Sequence, residues 1–413
     1  MKPFYDIAIK SFTAIAGMTK HFSPKLKLLV EGREGLFENL QNFAADHKYV
    51  AWFHVASLGE YEQAKPVISK LKEKIPEISI TITFFSPSGY ENVIKKSQPH
   101  VDFISYIPFD TPQNAEKFIS ILNPYVTFFV KYDLWTNFIF EAKKKKIPLF
   151  LFSAAFRPEQ IYFKSYGGFF RKILKSFDYI FTQNQTSLDL LTTIRFSSAS
   201  RTGDTRFDNV NALSKSPKTF PDIEKWIDGK KVIVVGSAWQ EDMDLLIPLI
   251  NSSEDYIYII APHDIDIKRI NQWQSEISKK SSLYSELKLQ DKSEVLFIDN
   301  IGMLSSLYQY AEIAYVGGAF GKGLHNILEP MAYYIPVIFG NLKKTNKFPE
   351  AGISQNYGCG YSVSHTDELI EIIKLLEDKN QYKKASEAAK NMVRDNLGSA
   401  EKIIKQVMIH LGK

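Results

Sequence analysis

Short apolar runs alternate with helix-periodic stretches along almost the whole chain, and this alternation narrows the possible folds more than any other feature. Residues 49–55, 78–85, 103–107, 125–130, 149–152 and 179–182 each read as a buried strand, and the stretches between them carry helical spacing, as in 61–74. Strands separated by helices argue for an α/β fold with a parallel, doubly wound sheet. Residues 208–221 lose both periodicities and carry Pro217 and Pro221, the mark of an interdomain linker. The alternation then restarts with apolar runs at 232–235, 256–260, 295–298, 314–316 and 336–339. A chain of 413 residues is too long for one ordinary core. We therefore expect two Rossmann-like doubly wound domains, 31–207 and 222–413, facing each other across a cleft.

Composition excludes several function classes. With 45% apolar and 23% charged residues the chain is of globular type. Its single cysteine, Cys359, rules out a disulfide framework and fits a reducing compartment. A net charge of +5 is too mild to argue for nucleic acid, but it suits a phosphorylated or anionic-lipid partner. Asp6 and Lys10 interrupt the only candidate secretory run, and no stretch approaches the ~20 apolar residues of a membrane span. Within residues 1–30, Tyr5, Ala8, Ile9, Phe12, Ile15 and Ala16 recur at helical spacing among Lys2, Lys10, Lys20, Lys25 and Lys27. That is the pattern of a basic amphipathic helix lying in a membrane interface, and we expect this segment to associate with an anionic membrane surface.

In doubly wound sheets ligands bind beyond the carboxyl ends of the strands. Ser57–Glu60, Ser86–Gly89 and Lys131–Trp135 fall at such ends in the first half. In the second half the apolar run ending at Val316 enters Gly317-Gly318-Ala319-Phe320-Gly321-Lys322-Gly323, then His325-Asn326-Ile327-Leu328-Glu329-Pro330. Glycines there let the backbone approach a ligand, and the following helix start suits a phosphate. Two capping patterns fit: Glu329 as N-cap with Pro330 next, or Asn326 with Glu329 three residues on. Glu60 is the leading candidate for catalysis. It is a lone acid between a strand end and a helix start, where a general base for a hydroxyl nucleophile could sit. The competing role is a carboxylate that only complements the helix dipole.

Taken in order, His54-Val55-Ala56-Ser57-Leu58-Gly59-Glu60, Ser86-Pro87-Ser88-Gly89, Tyr106 to Asp110, Asp133-Leu134-Trp135-Thr136-Asn137, Gly203 to Asp208, Gly236-Ser237, Asp299 to Leu304 and Gly317 to Pro330 form one series. The chain resembles, nearly end to end, the Kdo transferases of lipopolysaccharide biosynthesis. These move 3-deoxy-D-manno-octulosonic acid (Kdo) from CMP-Kdo to a lipid A precursor on the two-domain GT-B glycosyltransferase fold. The resemblance implies an inverting transfer to lipid IVA with release of CMP, at the cytoplasmic face of the inner membrane. It makes Glu60 the general base. It places the donor against Ser237, His263, Ile301, Gly302, Met303, Gly318, Gly323, Asn326 and Glu329, with backbone N–H groups of the glycines near the phosphate. It places the acceptor or the Kdo carboxylate against Ser57, Gly59, Ser86, Lys131, Asp133 and Arg206. It implies no metal and no other cofactor, since CMP carries one phosphate. Departures from the family pattern stand at Lys131, where an acid is usual, at His263, where arginine is usual, at Leu324 within Gly-Gly-His-Asn, and at Arg206 in place of lysine. The rival readings are a GT-B transferase using a UDP-sugar and a catalytically silent GT-B-like binding protein.

Overall fold

The computed structural model describes residues 1–287, 292–321, 323–343 and 347–413. They divide into two compact units, Met1–Asn209 with Leu397–Lys413, and Val210–Asn396. The first unit holds strands β1 (Val50–Val55), β2 (Ser79–Phe84), β3 (Phe103–Tyr106), β4 (Val126–Val130), β5 (Leu149–Ala154), β6 (Tyr179–Thr182) and β7 (Ala199–Arg201). They form one sheet in the order β3-β2-β1-β4-β5-β6-β7, every pair parallel. The second unit holds β8 (Lys231–Ala238), β9 (Tyr256–Pro262), β10 (Ser281–Leu283), β11 (Val295–Phe297), β12 (Ile313–Val316), β13 (Val337–Gly340) and β14 (Gly360–Val363). Its order is β10-β11-β9-β8-β12-β13-β14, again parallel throughout.

Helices cover both faces of each sheet, so the central strands are buried on both sides and read as continuous apolar runs rather than alternating ones. All six residues of β1 and all five of β4 are buried. Two aliphatic and aromatic cores flank the first sheet, one including Trp52, Phe118 and Phe129, the other Phe53, Phe128 and Phe152. The strand order reverses between β1 and β4 in one unit and between β8 and β12 in the other, and a crevice opens at the carboxyl ends of such a pair.

The structure departs from the sequence reading in three places. It adds β7, β10 and β14, short edge strands with polar residues such as Ser200, Arg201, Ser281 and Ser282, which carry no apolar run to announce them. The expected linker is largely ordered: the helix Thr205–Ser214 runs through its first half and the helix Pro221–Ile227 starts at its end. Finally, the chain end does not belong to the second domain. The helix Ser399–His410 packs Ala400, Ile403, Ile404 and Val407 into the first unit's core beside Ala51, Phe53 and Val126. Its N-terminus is held by Asp208, whose carboxylate accepts the N–H groups of Gly398 (2.7 Å) and Ala400 (2.8 Å). Ser399 Oγ donates to the Thr202 carbonyl at 3.0 Å, and Gly203, at φ +102°, leaves room for that side chain, since a Cβ there would stand 2.6 Å from the Ser399 oxygen.

The N-terminal segment is helical over Lys2–Thr19 and Pro24–Glu31. Its apolar residues face two ways rather than one. Ala16 is buried, and Tyr5 turns inward, its hydroxyl donating to Asp110 at 2.5 Å. Phe4 (77% exposed), Ile7, Ile15, Met18 (75%) and Phe22 (87%) stand in solvent. Among the described residues no helix is long and apolar enough to cross a membrane.

Because Ile404 is fully buried in the first unit, Ile404→Ala should cost about 2–5 kcal/mol and raise amide exchange in β1 and β4. Hydrogen-exchange mass spectrometry should leave β8, β9 and β12 unchanged; faster exchange there instead would assign the helix to the second unit.

Candidate active site

In the first unit, β1 ends at Val55 and the helix Leu58–Lys74 starts two residues later with Ser57 as N-cap. Glu60 lies in that first turn, 6% exposed. Its Oε2 accepts the Ala56 N–H at 2.5 Å, so the side chain does reach back over the helix start as a capping carboxylate would. Burial, and then the charge of Asp133, push its carboxyl up to about 7, against the pull of the Ala56 N–H and Lys131. Asp133 is itself raised by burial, with Lys131 opposing. The loops after β1 and β4, the pair at which this sheet reverses, thus bring Glu60, Lys131 and Asp133 together.

The loop after β4 is anchored tightly. Lys131 adopts φ +62°, an uncommon conformation for a residue with a side chain, and its N–H donates to Phe152 O at 2.9 Å. The Trp135 indole donates to His54 Nε2 at 2.8 Å. An indole can only donate, so His54 carries its proton on Nδ1, which meets Thr83 Oγ1 at 3.0 Å. Burial holds His54 neutral, down to about 3. His54 is a fully partnered strand residue that fixes the loop, not an acid or base. Ser86 ties the end of β2 to that of β1, its N–H donating to Ala56 O at 3.0 Å. Gly59 faces open space: a Cβ there would meet nothing within 4 Å. Arg206 pairs with Asp204, Nη2 lying 2.7 Å from Oδ2, and Asp204 also accepts from Gln63 Nε2 at 3.1 Å.

In the second unit, Ser237 sits at the end of β8 with φ +55°. The loop after β8, the strand β12 and the loop that follows it converge on Asp242. This aspartate, 1% exposed, accepts the N–H groups of Trp239 (3.0 Å) and Gly318 (2.9 Å) and the hydroxyl of Tyr315 (3.0 Å). The glycines serve this packing. Gly317 N–H goes to Gly236 O, Gly318 N–H to Asp242, and Gly323 N–H to Gly318 O. A Cβ on Gly317 would stand 2.5 Å from Asp242, and one on Gly318, at φ +94°, 2.8 Å from the His325 ring. The expected N–H groups at Gly317 and Gly318 are therefore already bonded.

Around that knot His263 stacks on Trp239, with ring centroids 4.3 Å apart, and lies 4.5 Å from the His325 ring. Neither Trp239 nor Asp242 stands out as a ligand-site residue in the sequence, and His325 is marked there only as a member of the loop after Val316. The available signal was the Trp239-x-x-Asp242 spacing at a strand–helix junction, three residues apart as in a helix cap. Farther along, Asn326 Oδ1 accepts Leu328 N–H (3.2 Å) and Asn326 Nδ2 donates to Glu329 Oε1 (3.1 Å). Neither expected capping pattern is realised: the N-cap of the short helix Leu328–Met331 is Ile327, and Glu329 lies inside the helix. The three consecutive residues expected against the donor divide: Ile301 is 86% exposed, Gly302 turns at φ +95°, and Met303 is buried. Two Asp-x-Asp spacings, Asp242–Asp244 and Asp264–Asp266, follow β8 and β9. Asp242 is taken by its three donors and Asp266 caps a helix through Lys268 N–H at 3.0 Å. Among the described residues no group of three or more His, Cys, Asp or Glu is placed to hold a metal ion.

Comparison with known proteins shows what this chain is similar to. The model of the family described as 3-Deoxy-D-manno-octulosonic-acid transferase (kdotransferase) matches residues 14–209. The 3-deoxy-D-manno-octulosonic acid transferase of Rickettsia bellii is 24% identical over 382 residues, 89% of this chain and 90% of the relative. That of Aquifex aeolicus is 27% identical over 345 residues, 81% of this chain and 88% of the relative. Among solved structures, UDP-GlcNAc 2-epimerase from Neisseria meningitidis bound to UDP-GlcNAc superposes with TM-score 0.62 at 17% identity, over 87% of this chain and 100% of that one, a likeness of fold alone. With two parallel seven-stranded sheets the chain is a glycosyltransferase of the GT-B fold, and over most of its length it is similar to the Kdo transferases.

Proposed function

We propose that the protein transfers Kdo from CMP-Kdo to the lipid A precursor lipid IVA, releasing CMP, by an inverting displacement with Glu60 as general base. The observation that carries this reading is the state of Glu60: a buried carboxylate at the strand-order reversal, poised near neutrality. The acceptor hydroxyl oxygen bonds to the anomeric carbon of Kdo as the bond from that carbon to the CMP phosphate oxygen breaks. The electron pair leaves with CMP, and the hydroxyl proton passes to Glu60. CMP departs as a phosphate monoester and needs little protonation, so one carboxylate suffices where glycosidases use two.

The remaining assignments follow the same reading. Lys131, close enough to lower both carboxyls, supplies positive charge for the acceptor phosphate or the Kdo carboxylate. Ser57, Ser86, Asp133 and Arg206 line the acceptor side, and the open space at Gly59 leaves room for the sugar to approach. Ser237, His263, Gly302, Gly318, Gly323, Asn326 and Glu329 take the donor, Asn326 and Glu329 being already paired for the ribose hydroxyls. The exposed row Phe4, Ile7, Ile15, Met18 and Phe22 inserts into the inner membrane from the cytoplasmic side, where lipid IVA is presented. Lys10 and Lys25, with no ion pair among the described residues, meet its anionic headgroups. The reading needs no metal.

Three outcomes test it. Glu60→Gln should lower kcat by about 10²–10⁴ while CMP affinity is kept; more than about a tenth of wild-type turnover would remove Glu60 from the base role. The wild-type acid limb of kcat/KM should fall below pH about 7, because only the ionised carboxylate accepts a proton. The stability sign runs the other way. A carboxyl raised above its unfolded value favours folding at low pH and loses that contribution as pH rises through about 7. Glu60→Gln should therefore melt higher than wild type at pH 8, whereas loss of a mere cap would melt lower. Secondly, Glu329→Ala should weaken CMP binding by about 1.5–3 kcal/mol in calorimetry, and unchanged affinity in a folded protein would leave Glu329 with helix packing only. Thirdly, serine at Phe4, Ile7, Ile15 and Met18 should release the protein from vesicles of anionic lipid without changing its melting temperature. Co-flotation equal to wild type would exclude this face as the anchor.

A further inference from the structure

The ring cluster at the carboxyl ends of β8, β9 and β12 has a chemical consequence that rests on the donor-site reading above. The Trp239 indole N–H donates to His325 Nε2 at 3.2 Å. Nε2 must then be the lone-pair nitrogen, and the imidazole proton of neutral His325 sits on Nδ1. No hydrogen bond reaches that Nδ1 among the described residues. His263 closes one side of the ring at 4.5 Å, and Gly318 supplies the space the ring needs on another, where any Cβ would stand 2.8 Å from His325 Cδ2. Rotation of the imidazole is thus blocked on two sides and its tautomer is set by a third group. The next residue, Asn326, is already bonded to Glu329.

We propose that Trp239 is a positioning residue of the donor site: its indole fixes His325 as the Nδ1–H tautomer, and that N–H donates to an oxyanion of the bound sugar nucleotide. Burial, and then the neighbouring His263, hold His325 down to about 4, so at neutral pH it offers a hydrogen bond without a charge. A neutral donor grips an anion less tightly than a cation does, which suits a site that must release CMP after each turnover. The oxyanion is either the phosphate or the Kdo carboxylate, and CMP, which has only the phosphate, separates the two.

The test combines a spectrum with binding. In full-length protein labelled with ¹⁵N-histidine, His325 should show protonated Nδ1 and unprotonated Nε2 at pH 7, and Trp239→Phe, which keeps an aromatic face for His263, should give a mixture of tautomers. With CMP as probe, Trp239→Phe and His325→Gln should each weaken binding about 3- to 10-fold, the worth of one neutral hydrogen bond. His325→Asn, whose amide nitrogen can stand where Nδ1 stood, should recover most of that affinity, and cytidine should bind all four proteins alike. If CMP binds alike as well but the KM for CMP-Kdo rises in Trp239→Phe and His325→Gln, the partner is the carboxylate and the proposal stands. A wild-type His325 protonated on Nε2, or a Trp239→Phe protein with mixed tautomers and unchanged CMP affinity and CMP-Kdo KM, would overturn the proposal alone. A wild-type protein that binds neither CMP nor CMP-Kdo would overturn the donor reading and the proposal with it.

Discussion

Each unit depends on one pair of parallel strands, β1 beside β4 and β8 beside β12, where the sheet reverses its order of winding. Parallel ladders consume the backbone hydrogen-bonding groups of the strands, and helices on both faces remove their side chains from water. Chemistry is left to the loops beyond the carboxyl ends, and at a reversal two such loops diverge to opposite faces and leave a crevice. Glu60 and Lys131–Asp133 follow the first pair; Ser237–Asp242 and Gly317–Asn326 follow the second. The ladder sets which residues meet, and the register is strict: Ala51 to His54 pair one by one with Val126 to Phe129.

The buried carboxylates show how a scaffold acid differs from a reactive one. Asp242 accepts three hydrogen bonds from three elements, and Asp110 accepts the N–H groups of Asn137 and Phe138 together with the Tyr5 hydroxyl. Asp208 accepts two N–H groups at the start of the last helix. Each fastens a loop or a helix end. Glu60, also buried, leans on the backbone beside it, chiefly Ala56 N–H, and faces the charge of Asp133. Burial raises the carboxyls of Asp110, to about 6, and of Asp242 and Asp208 as well; Glu60 differs in that the next largest influence on it is the like charge of Asp133, where for the others it is a hydrogen bond that lowers the carboxyl. The same side chain caps its helix and, in the proposed mechanism, serves as the base.

Aromatic donors to imidazole recur as the means of fixing loops. Trp135 holds His54 below the loop after β4, and Trp239 holds His325 beside the glycine loop after β12. In both cases an indole, which can only donate, leaves the imidazole neutral with its second proton position decided. His54 passes its remaining N–H to Thr83 and becomes structural; His325 keeps its own. At the other end of the first unit, Tyr5 and Asp6 clamp the N-terminal helix onto Asp110 and Asn137, which leaves Phe4, Ile7, Ile15 and Met18 facing outward.

Most of the architecture is legible in one dimension because a strand buried on both faces is apolar at most positions, and eleven runs of that kind, from Tyr49 to Phe339, stand out against helical sequence. Glu60 is legible for a related reason: an acid placed between such a run and a helix stands at the strand's carboxyl end, where a doubly wound sheet exposes its loops to ligands. The edge strands β7, β10 and β14 are not legible, since an edge needs little apolar surface, and their pairing is supplied by a neighbour distant in sequence. Nor is the membership of the helix Ser399–His410, whose amphipathic face would fit either unit and is decided by Asp208 and the core beside β1. The pairing of Trp239 with His325, 86 residues apart, exists only once β8 and β12 lie side by side. Local sequence determined which segments became strands and where reactive groups could emerge; only the tertiary ladder, by bringing distant loop ends within hydrogen-bond reach, decided which side chains hold the others in place.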